Sequence, residues 1–156
     1  MKDKIISDHI LILYFSILTF FFNLYLLYLP CIPIYPDKLI LIATLLISLS
    51  LLILIPFKIE RYKKIKTPHL VRDILNISHW GYLLIIPIGI LLARAMPTVV
   101  LITCIAWFAL ISRAIYYKCP LSSIAEKDVE IDTTEDIVNV YFVICACIGC
   151  IRLFIN

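Results

Sequence analysis

Three groups of residues in this 156-residue chain have the types and spacing to do chemistry. The first is a cluster of thiols, Cys145-Ala-Cys147-Ile-Gly-Cys150, with Cys31 far upstream. On a helix Cys147 and Cys150, at i and i+3, share one face, while Cys145 points elsewhere. Such a pair is a redox candidate, although a regular helix interior does not by itself give disulfide geometry. The alternative is packing, in which small polarizable side chains fill the contact face of a helix. The second group is His9 and His79, which fall at the same end of two apolar runs and are candidate cofactor ligands, as facing histidines are for haem. Against this stands the ordinary interfacial histidine, with its ring among headgroups. The third is Asp128-Val-Glu130-Ile-Asp132, whose carboxylates align on one face if extended. No loop glycine or bidentate arrangement supports a cation there, so a solvated turn is the alternative. No metal is expected at the thiols either, because no His or acid neighbours them in sequence. His69 has no assigned role. Phosphate loops, G-x-S-x-G and H-E-x-x-H are absent, and so is any catalytic constellation.

The elements that must position these groups are set by composition. Hydrophobic residues make up 63% of the chain, against 45–50% in soluble domains. Mean hydropathy is +1.03. Charges gather at the N-terminus, at residues 58–73 and at residues 126–136, with long apolar runs between. This pattern predicts an all-α, polytopic helical membrane bundle in one membrane domain, residues 1–156. Five spans are expected, at 9–29, 39–57, 75–96, 98–117 and 137–155. The first is 21 residues long, too long for a signal-peptide core, and no small-x-small cleavage site follows it. Pro30, Pro33 and Pro36 make a stiff loop after it, and Pro56 with Lys58 is expected to end the second span. Thr67-Pro68 reads as a helix start, and Ser123 to Glu126 as a capping box. Arg94-Ala-Met-Pro97 divides a stretch too long for one span, and Pro87 with Gly89 is expected to kink the third.

Lys and Arg counts orient the chain. With the N-terminus cytoplasmic, eleven basic residues lie inside and three (Lys38, Arg94 and Arg152) outside, and five spans put the C-terminus outside. Aromatic residues agree in part, with Trp80, Tyr82, Tyr116 and Tyr117 near the inner interface and Tyr25 and Tyr28 near the outer one. No Asp or Glu falls inside any expected span, which disfavours a coupled transporter, because charge in the bilayer is costly and kept for work. Arg94, Arg113 and Arg152 lie close enough to an interface to snorkel. Asn23 and Asn139 can hydrogen-bond between helices. A passive pore would have to be lined by Asn23, Ser48, Ser50 or Thr103.

Two sets of residues carry resemblances. His79, Cys119-Pro-Leu-Ser122 and Glu126 resemble a pattern in short bacterial multi-pass membrane proteins of unknown function, which implies no activity. Cys147 and Cys150 with Cys31 resemble the membrane thiol oxidases of the disulfide-formation and vitamin K epoxide reductase type. Those pair a membrane-embedded C-x-x-C with two loop cysteines and pass electrons to a quinone, whereas here Cys31 is alone in its loop. In general character the chain is also similar to membrane immunity proteins of pore-forming bacteriocins. The expectation is a non-enzymatic, multi-pass protein of the bacterial inner membrane. It would act through helix–helix contacts, as a complex subunit or immunity-type factor. Its partners would be the lipid bilayer and another membrane protein or a second copy, with no nucleic acid and no cofactor. The alternatives are a thiol oxidoreductase using Cys147 and Cys150, and a small passive channel or transporter subunit.

Overall fold

A computed structural model describes residues 2–61, 69–116 and 132–155. They form five long helices, with no strand among the described residues: α1 (Lys2–Tyr28), α2 (Leu39–Arg61), α3 (His69–Leu92), α4 (Met96–Tyr116) and α5 (Asp132–Ile155). Five stretches are long and apolar enough to cross a membrane, one on each helix and the second beginning in the turn before α2: Ile10–Tyr28, Tyr35–Pro56, Asp73–Leu92, Met96–Ile115 and Ile137–Ile155. The chain is therefore an all-α bundle. A helix rises about 1.5 Å per residue, so the shortest of these stretches still covers about 28 Å.

Two helices meet proline and continue. α2 runs through Pro56 to Arg61, past the expected end of the span, and α3 runs through Pro87. A proline costs one backbone hydrogen bond, and in a membrane helix neighbouring helices and local adjustment compensate for it. The sharp break comes instead at residues 93–95. α3 ends at Leu92 and α4 starts at Met96, with Pro97 in its first turn, where the missing N–H is no loss. Between α1 and α2 a wide turn spans Ile34–Lys38, closed by Lys38 N–H donating to Pro33 O at 3.2 Å. The helix starts expected at Thr67-Pro68 and at Ser123 to Glu126 lie outside the described residues.

Successive helices pack against one another, and α3 also meets α5 while α4 also meets α1. The α1–α2 seam shows why. Buried residues on α1 fall at Ile12, Ser16, Thr19, Asn23 and Leu26, and on α2 at Leu41, Thr44, Ser48, Leu51 and Ile55. Alternating steps of three and four are the knobs-into-holes pattern of a left-handed helix pair. Where α3 and α5 meet α4, glycines on α3 and α5 set the approach. A Cβ on Gly149 would lie 2.4 Å from Thr103 Oγ1, and one on Gly89 would lie 2.8 Å from Cγ1 of Ile102. Small residues let backbones come close, which is how helices associate where solvent gives no hydrophobic drive.

Candidate functional site

Four features of the bundle hold its polar chemistry: a charged clasp at one end, a ladder of hydroxyls along its length, an apolar cavity near the other end, and the thiols of α4 and α5.

The clasp surrounds the α3–α4 turn. A helix end leaves backbone N–H and C=O groups without intrahelical partners, and in an apolar setting these must be satisfied by something else. Asp37, fully buried at the start of the second apolar stretch, supplies the acceptor. Its Oδ1 accepts from the N–H groups of Arg94 (3.1 Å) and Ala95 (2.9 Å), and its Oδ2 accepts from Arg94 N–H at 3.0 Å. Arg152, near the end of α5, supplies the donors. Its guanidinium donates to Ile90 O and, at 2.8 Å, to Ala93 O. The anion thus sits at the N-terminus of α4 and the cation at the C-terminus of α3, each where the helix dipole favours it. Three parts of the chain far apart in sequence are tied at one turn.

The ladder crosses the bundle. Asn23 Nδ2 donates to Thr19 O (2.7 Å), and its Oδ1 accepts from Thr44 Oγ1 at 2.6 Å. Ser48 Oγ donates to Thr44 O (2.7 Å) and pairs with Tyr82 OH at 3.0 Å. Ser50 pairs with Ser78 at 2.7 Å, and Tyr141 OH donates to Leu83 O. At the end away from the clasp Arg113 Nε donates to Asn139 Oδ1 at 2.7 Å. Apart from the bonds to Thr19 O and Thr44 O, which stay within α1 and α2, these are bonds between helices, and together they give most of the described buried hydroxyls and amides a protein partner. Among the described residues, Ser16 Oγ, Asn76 Oδ1, Thr98 Oγ1 and Thr103 Oγ1 are the buried side-chain atoms without one.

The cavity lies where all five helices converge, in the half of the bundle away from the clasp. Its volume is about 40 Å³. Its walls are largely apolar, with Phe15 stacked on Phe108 at 3.6 Å between ring centroids, and His79, Tyr82 and Ser112 bring the polar atoms. A space of this size holds one to three waters or a methyl group or two.

The residues singled out from sequence are scattered among these features. Cys31 is exposed in the α1–α2 connection. Cys147 is exposed on α5, and Cys150 is partly covered, its sulfur accepting from Trp107 Nε1–H at 3.3 Å. Both sit in an unbroken helix and the described cysteines are all free thiols. Cys145 is buried. His79 borders the cavity, while His9 lies on α1 without a described side chain. Cys119-Pro-Leu-Ser122, Glu126 and Asp128 to Glu130 lie outside the described residues, and Asp132 begins α5. Among the described residues no group of three or more His, Cys, Asp or Glu is placed to hold a metal. Of the candidate pore residues, Asn23, Ser48 and Ser50 each bond to another helix, and Thr103 packs on Gly149; none lines the cavity.

Several residues behave differently from their sequence reading. Arg113 and Arg152 are turned onto neighbouring helices rather than outward, and Tyr82 is a core residue on Ser48 rather than an interfacial one. Asp37 was not a sequence candidate. The available signal was a carboxylate isolated between Pro36 and an apolar run, in a chain whose other acids cluster elsewhere. No protein family, curated protein or solved structure matches the chain.

Proposed function

We propose that this chain is a non-enzymatic, multi-pass protein of a bacterial inner membrane that acts through helix–helix contacts, as a subunit of a membrane complex or an immunity-type factor. The observation that carries this reading is where the polar groups point. Asn23, Thr44, Ser48, Tyr82, Ser78 and Tyr141 bond from helix to helix inside the bundle, and none of them converges on a common reacting centre. What the bundle presents outward is a broad surface of large apolar side chains, the material of contacts within a bilayer. Orientation enters from the basic residues, with the N-terminus cytoplasmic and the clasp at the outer face. Photo-crosslinking in native membranes tests this reading. Protein adducts at exposed positions are expected, and lipid adducts alone at every exposed position on all five helices would overturn it. A reporter joined after Asn156 is expected to be periplasmic, and a cytoplasmic one would reverse the orientation.

A second reading draws on the bond from Trp107 Nε1–H to Cys150 Sγ, which holds one thiol of the Cys-x-x-Cys spacing at a fixed place on the α4–α5 contact. It makes Cys147 and Cys150 a thiol oxidoreductase pair, with Cys31 on the expected outer side. Thiol trapping in membranes decides it: oxidised Cys150 supports this reading, and permanently reduced Cys147 and Cys150 remove it.

A further inference from the structure

The clasp end of the bundle holds three basic residues, Lys38, Arg94 and Arg152, and among the described residues one acid, Asp37. The charges do not cancel in pairs. Asp37 is fully buried, and its oxygens are taken by the N–H groups of Arg94 and Ala95. Among the described residues it forms no ion pair with any of the three cations. Arg152 spends its guanidinium on the carbonyls of Ile90 and Ala93. That leaves Arg94, which is exposed, and Lys38, which is half-buried, with no side-chain partner among the described residues. Beside an apolar phase a cation without an anion is costly, so these two call for one.

Depth says where that anion comes from. Lys38 falls near the start of the apolar stretch Tyr35–Pro56, and Arg94 in the gap between Asp73–Leu92 and Met96–Ile115. Tyr28 and Tyr35 stand exposed at the same end, at the level where tyrosine rings meet headgroups. The two cations are also neighbours. An oxygen of Asp37 lies 3.0 Å from the backbone nitrogen of Arg94, and Lys38 is the next residue, so their Cα atoms are at most about 12 Å apart. Side chains of this length can close on one group set between them. Snorkelling alone would send each cation separately into the headgroup layer. Here the backbone beneath them is fixed, with Arg94 N–H held by Asp37 and Lys38 N–H by Pro33 O.

We propose that Lys38 and Arg94 form a binding site for the phosphate of an anionic phospholipid, one whose headgroup carries no positive charge of its own. A guanidinium meets two phosphate oxygens as a fork, and an ammonium adds a compact charge beside it. The exposed aliphatic side chains of α2 begin at the residue after Lys38, with Leu39, Ile42 and Leu46, and give an acyl chain a track away from the headgroup. A zwitterionic lipid brings its own cation up to Lys38 and Arg94, so headgroup charge sets the preference. Free phosphate would answer the same two charges but gains nothing from α2. The site stands apart from the functional reading above, because it needs lipid and no protein partner.

The test is native mass spectrometry of the full chain in mild detergent, titrated with phosphatidylglycerol, with phosphatidylcholine of the same acyl chains, or with inorganic phosphate. Phosphatidylglycerol is expected to bind about tenfold more tightly than phosphatidylcholine, and Arg94→Gln and Lys38→Gln each to weaken it about fivefold. Arg94→Lys keeps the charge and is expected to keep most of the binding. The glutamine variants leave the bonds of Asp37 in place, so without lipid they are expected to unfold at the unmodified chain's SDS midpoint. Arg61→Gln, at the other end of α2, removes the same charge and is expected to leave lipid binding unchanged. Equal affinity for the two lipids overturns the site, as does an Arg61→Gln loss as large as that of Arg94→Gln. Inorganic phosphate that displaces the lipid at equal concentration overturns the lipid as its occupant.

Discussion

The two ends of the bundle solve the same problem by different means. At the clasp end the chain reverses direction within three residues, and Asp37 and Arg152 bind the N–H and C=O groups that the break exposes. Around the cavity five helices converge along unbroken stretches, and largely apolar side chains leave about 40 Å³ unfilled. At the turn charged side chains take up the lost backbone hydrogen bonds, and around the cavity, where the helices are unbroken, mostly apolar side chains pack against one another. The difference teaches that a buried carboxylate in a membrane helix bundle can be a backbone device, with no part in moving ions or protons.

The comparison can be broken most directly at Asp37. Asp37→Ala leaves two N–H groups at the turn without an acceptor and is expected to destabilise the bundle by about 3 kcal/mol. Unfolding by SDS titration from mild detergent would measure it, and a loss no larger than that of an exposed control such as Leu46→Ala would mean the clasp is dispensable. Arg152→Met keeps the length of the side chain and frees the carbonyls of Ile90 and Ala93. About 2 kcal/mol is expected, and protease accessibility should rise at α5 before the other helices. At the cavity end the sign reverses. Ala109→Val adds two methyl groups toward the empty space, and at ~24 cal/mol per Å³ its filling stabilises by about 1 kcal/mol. A lower SDS midpoint for this variant would show that the walls have no room. The smallest effect belongs to the ladder. Tyr82→Phe removes one partner of Ser48, which still donates to Thr44 O, so a loss of about 0.6 kcal/mol is expected in the same titration.

The helices were legible because hydropathy over about 20 residues is a strong signal, and the break near Arg94–Pro97 follows from length alone. Pro56 marks the end of the second apolar stretch as expected, while the helix itself continues to Arg61, because a proline's local penalty says nothing of the neighbours that compensate for it. The clasp was not legible. Asp37 and the turn are 57 residues apart, and no periodicity links an acid in one connection to the N–H groups of another. Arg152 was read as snorkelling because a lone basic residue near a helix end usually does, and only the position of α3 reveals nearer acceptors. The thiols were located correctly on α5, but Cys150's neighbour is set by the crossing of α4 and α5, where Gly149 meets Thr103.

The clasp also carries a timetable. Asp37 precedes the turn it binds, so its carboxylate is already available when Arg94 and Ala95 are synthesised. Arg152 follows Ala93 by 59 residues, so the carbonyls on the other side of the turn wait while α4 and α5 are made and inserted. In chain order, then, the α3–α4 hairpin finds its anchor in the α1–α2 connection as soon as it is made, whereas the carbonyls of Ile90 and Ala93 have their donor only once α5 exists.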